Sequence, residues 1–319
     1  YSTSENRIAL SMLYYCEKKI LDFFNIRKDN KNKKIIDNFE EYLEKKQKTL
    51  GFTLSSEQQK AVELINSGEK TLFLIGYAGT GKSTSSRAIL ELLEEIASYD
   101  DIIAIALSGI ASQRISDTTG YNSSTIQSLL VKHKEKDFFP YKVILLDEAS
   151  MVNSVTFSQI ISKISDDTIF IIVGDDGQLP AIGAGNILAD SIKYELAPIC
   201  KLTKIYRQNE NQAIAVIAND IRKGELPNYK EEYEDFKFVD VSIGNYYSMK
   251  NSLSQNEFSD MRGENSDYIL NNILNIASNY IQNYYDFIKE KNIGKALTLF
   301  QVITPMKGGV LGVENLNIE

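Results

Sequence analysis

Apolar residues in the first fifty positions recur at the three- to four-residue spacing of amphipathic helices. The spacing predicts helical structure over residues 5–50, with a second helix over residues 35–48 that ends at Gly51. Between the helices lies a basic, Asn-rich run from Arg27 to Lys34, which predicts a solvated turn rather than a binding patch. We therefore interpret residues 1–50 as a helical N-terminal leader.

A different pattern begins near residue 54, where short, continuously apolar runs alternate with helical stretches. The runs predict strands at residues 71–75, 102–107, 143–146 and 169–173, and the stretches predict helices at residues 57–66, 82–96 and 211–222. Continuously apolar strands are buried on both faces, which is typical of a parallel sheet covered by helices. Residues 51–227 therefore predict an α/β domain with a nucleotide-binding layout.

The pattern changes again after residue 227. Residues 228–265 are rich in Tyr, Asn and Ser and have weak periodicity, which predicts an irregular insertion. Residues 269–289 predict an amphipathic helix, and residues 300–304 predict a further strand. We assign residues 228–297 to the insertion and its helix, and residues 298–319 to the beginning of a second domain.

The composition excludes several classes of protein. A net charge of -8 excludes a basic surface that coats nucleic acid, so any nucleic-acid contact must be a local groove. The two cysteines exclude a disulfide scaffold, and the single histidine excludes a His-rich metal site. Because no run of about 18 apolar residues occurs, we expect no membrane-spanning segment and a cytoplasmic location.

One glycine-rich segment predicts a phosphate-binding loop. Residues 76–83 read Gly-Tyr-Ala-Gly-Thr-Gly-Lys-Ser, follow a predicted strand and open a predicted helix. Backbone N–H groups of such a loop curl around phosphates, and the start of the helix adds partial positive charge. Lys82 is expected to reach the β- and γ-phosphates of ATP, and Ser83 to offer its hydroxyl to Mg²⁺. The predicted nucleotide-binding residues are Gly76, Gly79, Thr80, Gly81, Lys82, Ser83 and Thr84.

Two later strands also end in polar residues that suit this chemistry. Asp147 and Glu148 follow the strand at residues 143–146, about 65 residues beyond the phosphate loop. Asp147 suits the Mg²⁺ shell, and Glu148 suits a base that activates water, which favours hydrolysis over binding alone. Gln178 follows the next strand, where it either senses the γ-phosphate or belongs to an ordinary tight turn.

Taken in order, these segments resemble the RecD/Dda group of superfamily-1B DNA helicases over residues 52–225 and 298–317. Residues 54–61 resemble the Q motif, the phosphate loop motif I, residues 106–112 motif Ia, residues 147–150 motif II and residues 174–180 motif III. The resemblance implies a RecA-like P-loop NTPase domain, preceded by the leader and followed by the start of a second RecA-like domain. It also implies translocation on single-stranded DNA from 5′ to 3′.

The resemblance assigns further roles. Gln58 would read the adenine, and Arg207 in the Tyr-Arg-Gln of motif IV would be an arginine finger at the γ-phosphate. DNA contacts would come from the residues of motif Ia and of the Thr-Ile-Gln element, namely Ser108, Gly109, Thr125 and Gln127. Ser108 follows Leu107 where relatives carry Pro-Thr, and Gln127 replaces the usual His, so each position keeps a polar group.

Two departures from the family bear on function. Only residues 131–142 stand where relatives carry a β-hairpin wedge. Their basic and aromatic residues suit either single-strand contact or a surface loop with two packed Phe side chains. Motifs V and VI do not follow residues 298–317, so we expect the sequence to be a segment of a longer protein, or these motifs to be supplied separately.

The leading hypothesis is an ATP-dependent DNA helicase that uses ATP and Mg²⁺ and acts on single-stranded DNA. Other subunits of a repair, recombination or defence complex are candidate partners. A DNA-stimulated ATPase that acts as a switch or loader without unwinding is the first alternative. A binding module that has lost catalysis is the second, and the intact Lys82, Asp147, Glu148 and Arg207 argue against it.

Overall fold

The computed structural model describes residues 10–51, 53–77, 79–204, 213–228, 236, 255–290 and 302–317. The chain divides into two compact units, Tyr1–Leu226 and Pro227–Glu319. The predicted boundary between residues 227 and 228 lies one residue from this division. The predicted boundary at residue 50 has no counterpart, since the helical leader belongs to the first unit.

The described part of the first unit contains a parallel sheet of six strands, as its apolar runs predict. The strands are β1 Thr71–Gly76, β2 Ile102–Ala106, β3 Ser123–Thr125, β4 Val143–Leu146, β5 Ile169–Gly174 and β6 Ile199–Leu202. Their order across the sheet is β3-β2-β4-β5-β1-β6, and every pair is parallel. Because β1 lies between β5 and β6, with β4 beyond β5, the carboxyl ends of β1, β4 and β5 meet at one edge of the sheet.

Helices cover both faces of this sheet. They are α1 Ser11–Lys28, α2 Phe39–Leu50, α3 Ser56–Asn66, α4 Lys82–Leu93, α5 Gly109–Thr119, α6 Ile126–Lys132, α7 Ser154–Ile161, α8 Ile187–Lys193 and α9 Ala213–Lys223. Alternate β1 side chains enter two separate cores. Leu72 and Leu74 pack with α2 to α5, whereas Phe73 and Ile75 pack with α1, α6, α7 and α8. The two-sided burial expected of a parallel sheet is confirmed.

The leader helix α1 is part of the core rather than an appendage. Phe24 is 1% exposed, and its ring centroid lies 5.6 Å from that of Phe73 on β1 and 6.1 Å from that of Phe157 on α7. Ile20, one turn earlier, is also buried. The helix therefore closes one face of the sheet that carries the phosphate loop.

The expectation of a solvated turn from Arg27 to Lys34 is wrong at its first residue. Arg27 is 5% exposed, and its guanidinium donates to the Thr71 hydroxyl at 2.9 Å, to the Lys70 carbonyl at 2.9 Å, and to the Thr168 carbonyl. Burial lowers its pKa to about 10, although Asp166 and Asp167 oppose the shift. A guanidinium has five N–H donors in a fixed plane, which suits several acceptors at once. These acceptors lie at the amino ends of β1 and β5, so Arg27 attaches α1 to that edge of the sheet.

The second unit has the helices α10 Gln255–Ser278, α11 Ile281–Lys289 and α12 Val313–Leu316. The helix predicted over residues 269–289 is present but breaks between residues 278 and 281. The irregular structure predicted for residues 228–265 is wrong at residues 255–265, which are helical; residues 229–235 and 237–254 lie outside the described residues. Residues 302–304 form no strand, and 300–301 are also outside. Within the described ranges, no helix is long and apolar enough to cross a membrane.

Candidate functional site

The loop between β1 and α4 has the close backbone approach that its glycines predict. Gly81 adopts a φ of 85°, a left-handed conformation that glycine takes without a steric penalty, and it caps the start of α4. Thr80 is 1% exposed, and its hydroxyl donates to the Tyr77 carbonyl at 2.8 Å, which closes the loop on itself. A side chain on Gly76 would collide with this hydroxyl. Ser83 and Thr84 follow half-buried in the first turn of α4.

Lys82 extends back over this loop. Its ammonium group donates to the carbonyls of Gly76 at 2.5 Å and Tyr77 at 2.9 Å. Burial lowers the pKa of Lys82, while the charges of Asp175 and Asp147 act to raise it. The side chain therefore stands as a cation between the phosphate loop and the acidic ends of two neighbouring strands.

Asp147 and Glu148 follow β4 at the same edge of the sheet. The Asp147 amide donates to the Ile105 carbonyl at 2.8 Å, and the Glu148 amide donates to Asp147 Oδ1 at 2.9 Å. Glu148 adopts a φ of 52°, and holding a non-glycine residue in this region costs about 1–3 kcal/mol. The backbone therefore turns sharply at Glu148, directly after the strand.

Burial raises the pKa of both carboxyl groups, and the charge of Asp147 adds to the rise at Glu148. A glutamate whose pKa lies above its usual value is a stronger base at neutral pH. The surroundings of both carboxyl groups therefore raise their affinity for protons, and such shifts are commoner at functional sites than elsewhere.

The loop after β5 is joined directly to the loop after β4. Gln178 Oε1 accepts a hydrogen bond from the Ser150 hydroxyl at 3.0 Å. Asp175 is 7% exposed, and its Oδ1 accepts from the Gly177 amide at 2.9 Å. The structure therefore brings Lys82, the acidic pair and Gln178 together.

Gln58 lies beside the phosphate loop but is already hydrogen-bonded. Its Oε1 accepts from the Ser55 amide at 2.9 Å in a capping box at the start of α3, and its Nε2 lies 3.5 Å from the Gly81 carbonyl. Gln58 is 4% exposed, and its side chain stabilises the start of α3 and contacts the residue that caps the start of α4. Reading adenine would require its amide to exchange these partners.

The residues expected to contact DNA lie at the same carboxyl edge of the sheet, at the ends of β2 and β3. Ala106 of β2 pairs with Thr125 of β3, so the ends of these strands and the Ser108–Gly109 turn are adjacent. The Ser108 hydroxyl accepts from the Ala111 amide at 3.1 Å, and the Thr125 hydroxyl accepts from the Ser128 amide at 3.1 Å. Both hydroxyls cap helices, whereas Gly109 and Gln127 are exposed.

Residues 131–142 contain no strand, so they form no β-hairpin. Phe139 is 4% exposed and packs beside His133, which is 5% exposed, whereas Phe138 is 53% exposed. One of the two Phe side chains is therefore packed and the other faces solvent.

The expected arginine finger, Arg207, lies outside the described residues. The chain that leads to it is held at Thr203, whose amide donates to Glu57 Oε2 at 2.8 Å. Two other arginines stand near the site and were missed by sequence reasoning. The charge of Arg114 on α5 acts to lower the pKa of Asp147 and Glu148, and Arg222 on α9 contacts the phosphate loop. Neither belongs to a recognisable motif, so no local signal marked them.

A parallel sheet with a phosphate loop after one strand and an acidic pair after a nearby strand defines a P-loop NTPase domain. Residues 53–242 match the family described as AAA domain, and the chain belongs to this family. Proteins named as RecD2 DNA helicase and RecD are among its sequence relatives.

The ATP-dependent RecD2 DNA helicase of Deinococcus radiodurans is 30% identical over 185 residues, which are 56% of this chain and 25% of that protein. The RecBCD enzyme subunit RecD of Mycolicibacterium smegmatis is 26% identical, over 54% of this chain and 37% of that one. The crystal structure of Pif1 helicase from Candida albicans matches with a TM-score of 0.42 and 24% identity, over 56% of this chain and 45% of that one. The chain thus spans 25% and 37% of the lengths of these two sequence relatives.

Proposed function

We propose that this chain hydrolyses ATP and couples hydrolysis to 5′ to 3′ translocation on single-stranded DNA, as an ATP-dependent DNA helicase. The observation that carries the proposal is the convergence of Lys82, Asp147, Glu148 and Gln178 at the carboxyl ends of β1, β4 and β5. A nucleotide-binding protein without hydrolysis needs the first of these residues but has no use for a half-buried carboxylate base whose pKa is raised.

The residues present fit ATP with Mg²⁺. The glycine loop and the start of α4 would cradle the phosphates, and Lys82 would leave the loop carbonyls to bind the β- and γ-phosphates. Ser83 and Asp147 would hold Mg²⁺, which polarises phosphate oxygens when bound. Asp147 suits a divalent cation because its carboxylate is desolvated and would regain a favourable partner.

Hydrolysis would depend on the chain's own base and on its contact with the loop after β5. Glu148 would accept the proton of the attacking water, since its raised pKa favours proton transfer. Gln178 would report the state of the γ-phosphate to the rest of the chain, through its bond with Ser150. Arg207 would add positive charge where charge grows in the transition state.

DNA would follow the edge formed by Ser108, Gly109, Thr125 and Gln127. These residues lie at the ends of β2 and β3, and Asp147 follows β4, which is the neighbour of β2. A change at the nucleotide site could therefore reach the DNA contacts through the adjacent strands β4 and β2. The likeness to a protein named as a subunit of RecBCD supports a further proposal, that other subunits join this chain in a repair, recombination or defence complex.

The test compares wild type with Lys82→Ala in ATP hydrolysis with and without single-stranded DNA. We expect the variant to lose DNA-stimulated turnover by about 100-fold or more, because one preorganised cation at the phosphates is worth that much. Arg87→Ala is the matched control, since Arg87 lies on the same helix and its half-exposed side chain pairs with Glu91, away from the phosphate loop. Unchanged turnover in Lys82→Ala would contradict the proposal. Displacement of streptavidin from 5′- or 3′-biotinylated strands would give the polarity.

A DNA-stimulated switch or loader remains the second candidate, because residues 131–142 form no hairpin to separate strands. A forked duplex distinguishes the two functions. Hydrolysis with unwinding of the forked duplex supports the helicase. Hydrolysis without unwinding, measured with the full-length protein, supports the switch.

A further inference from the structure

Arg222 on α9 stacks on the phosphate loop. Its guanidinium carbon lies 3.2 Å from the centroid of the Tyr77 ring, and Tyr77 is the second residue of that loop. The backbone carbonyl of Tyr77 accepts from both Lys82 and Thr80. The ring that Arg222 covers thus belongs to the residue that holds the phosphate-binding lysine.

The same guanidinium also holds the loop after β5. Its terminal nitrogens lie 2.8 Å from Asp176 Oδ1 and 3.5 Å from Asp175 Oδ1. The first side-chain carbon of any larger residue at position 177 would stand 2.6 Å from the Arg222 guanidinium, so the guanidinium would have to move. One half-buried side chain therefore touches the loop of Lys82 and the loop of Gln178 at once.

We propose that Arg222 is a positioning residue of the ATP site, which couples the phosphate loop to the loop after β5 through Tyr77 and the Asp175–Asp176 pair. The inference rests on the proposed function, because it assigns Lys82 and Gln178 to the terminal phosphates. When Lys82 exchanges the Tyr77 carbonyl for phosphate, Tyr77 is released from one partner. A movement of the Tyr77 ring would then move Arg222, and with it Asp175 and Asp176 in the loop after β5 that contains Gln178.

The geometry favours this role over a simple ion pair. A planar guanidinium can stack on an aromatic face and donate two hydrogen bonds in its own plane at the same time, which an ammonium group cannot do. Lys201 shows the contrast, because it pairs with Asp176 at 3.1 Å and, among the described residues, with no other carboxylate. Arg222 therefore contacts both the phosphate loop and the loop after β5, whereas Lys201 contacts the loop after β5.

The test measures binding of a fluorescent ADP and of a fluorescent, non-hydrolysable ATP analogue to the whole chain with Mg²⁺. For Arg222→Gln we expect the ATP analogue to bind about 5- to 20-fold more weakly and ADP to change by less than about 3-fold, from the usual worth of a stacked, ion-paired arginine. Arg222→Lys should fall between, since it keeps the charge and loses the stack. Lys201→Gln is the matched control and should stay within about 2-fold of wild type for both nucleotides.

A double-mutant cycle supplies the second measurement. Tyr77→Leu removes the ring, so it should weaken the ATP analogue as Arg222→Gln does, and the double variant should bind no worse than either single variant within about 2-fold. Full additivity of the two losses would overturn the proposal. An equal loss for both nucleotides, accompanied by a lower melting temperature, would also overturn it and leave Arg222 a latch for α9.

Failure of the proposed function has a different signature. If wild type and Lys82→Ala bind the ATP analogue equally, the site itself is misassigned and both proposals fail. If Lys82→Ala abolishes binding and Arg222→Gln matches wild type, only the inference about Arg222 fails.

Discussion

Replacing Phe24 by alanine tests whether the leader is part of the nucleotide-binding domain. Phe24 is 1% exposed and contacts the rings of Phe73 and Phe157. A buried Phe side chain removes about 200 Å² from water, worth about 5 kcal/mol at about 25 cal/mol per Å². Compact unfolded chains bury part of this area already, which lowers the figure by about 10–40%, to about 3–4.5 kcal/mol. This agrees with the range of about 3–5 kcal/mol for removal of a core Phe.

The assay is urea unfolding of the whole chain, with Ile26→Ala as the control on the same helix. Ile26 is 61% exposed, so its truncation should change the free energy of unfolding by less than about 0.5 kcal/mol. We expect Phe24→Ala to lower it by about 3–4.5 kcal/mol. A loss of less than about 1 kcal/mol would refute the reasoning, because it would mean that α1 leaves the sheet without exposing a core.

Three further predictions concern the site and its surroundings. Glu148→Gln should retain ATP binding and lose at least about 100-fold in hydrolysis, measured by titration and by turnover, and full turnover would contradict its role as base. Ser108→Asp keeps the helix cap but adds negative charge, so it should weaken binding of a single-stranded oligonucleotide without lowering the melting temperature; unchanged DNA affinity would contradict a contact there. Burial lowers the pKa of His133, with Lys132, Lys136 and Lys163 adding to the shift, and both of its ring nitrogens lack partners within the described residues. The unfolded chain therefore binds a proton below pH 6.5 that the folded chain resists, so stability should fall as the pH drops below 6.5, and His133→Phe should reduce that loss in denaturant melts.

Local patterns predict the centre of the sheet and the phosphate loop, because each is determined by residues close in sequence. β1, β2, β4 and β5 are continuously apolar and appear where the pattern predicts them. The edge strands β3 and β6 were not predicted. β3 consists of three half-buried residues, Ser123 to Thr125, and its strand conformation comes from pairing with β2 rather than from its own composition.

The partners of buried or half-buried arginines cannot be predicted from sequence for a related reason. Arg27 in a basic run and Arg222 near the end of a helix both look like surface charges. Arg27 is buried because acceptors up to 141 positions away meet at its guanidinium. Arg222 is enclosed by Asp176, 46 positions away, and by the Tyr77 ring. Charge patterns predict solvation unless the fold supplies partners, and those partners are visible only after the sheet has assembled.

The motif residues that cap helices have a role that needs no ligand. Gln58 with Ser55 satisfies the first amides of α3, Ser108 those of α5, and Thr125 those of α6. Losing an N-cap costs about 0.5–2 kcal/mol, which alone is enough to favour Ser, Thr, Asn or Asp at positions 55, 108 and 125. A hydroxyl at Ser108 or Thr125 is therefore explained before DNA is considered, and only a substitution that preserves the cap while changing the charge separates the two roles. The same does not hold for Glu148, whose side chain caps no helix and whose backbone is held in a costly conformation, so function is the more economical explanation there.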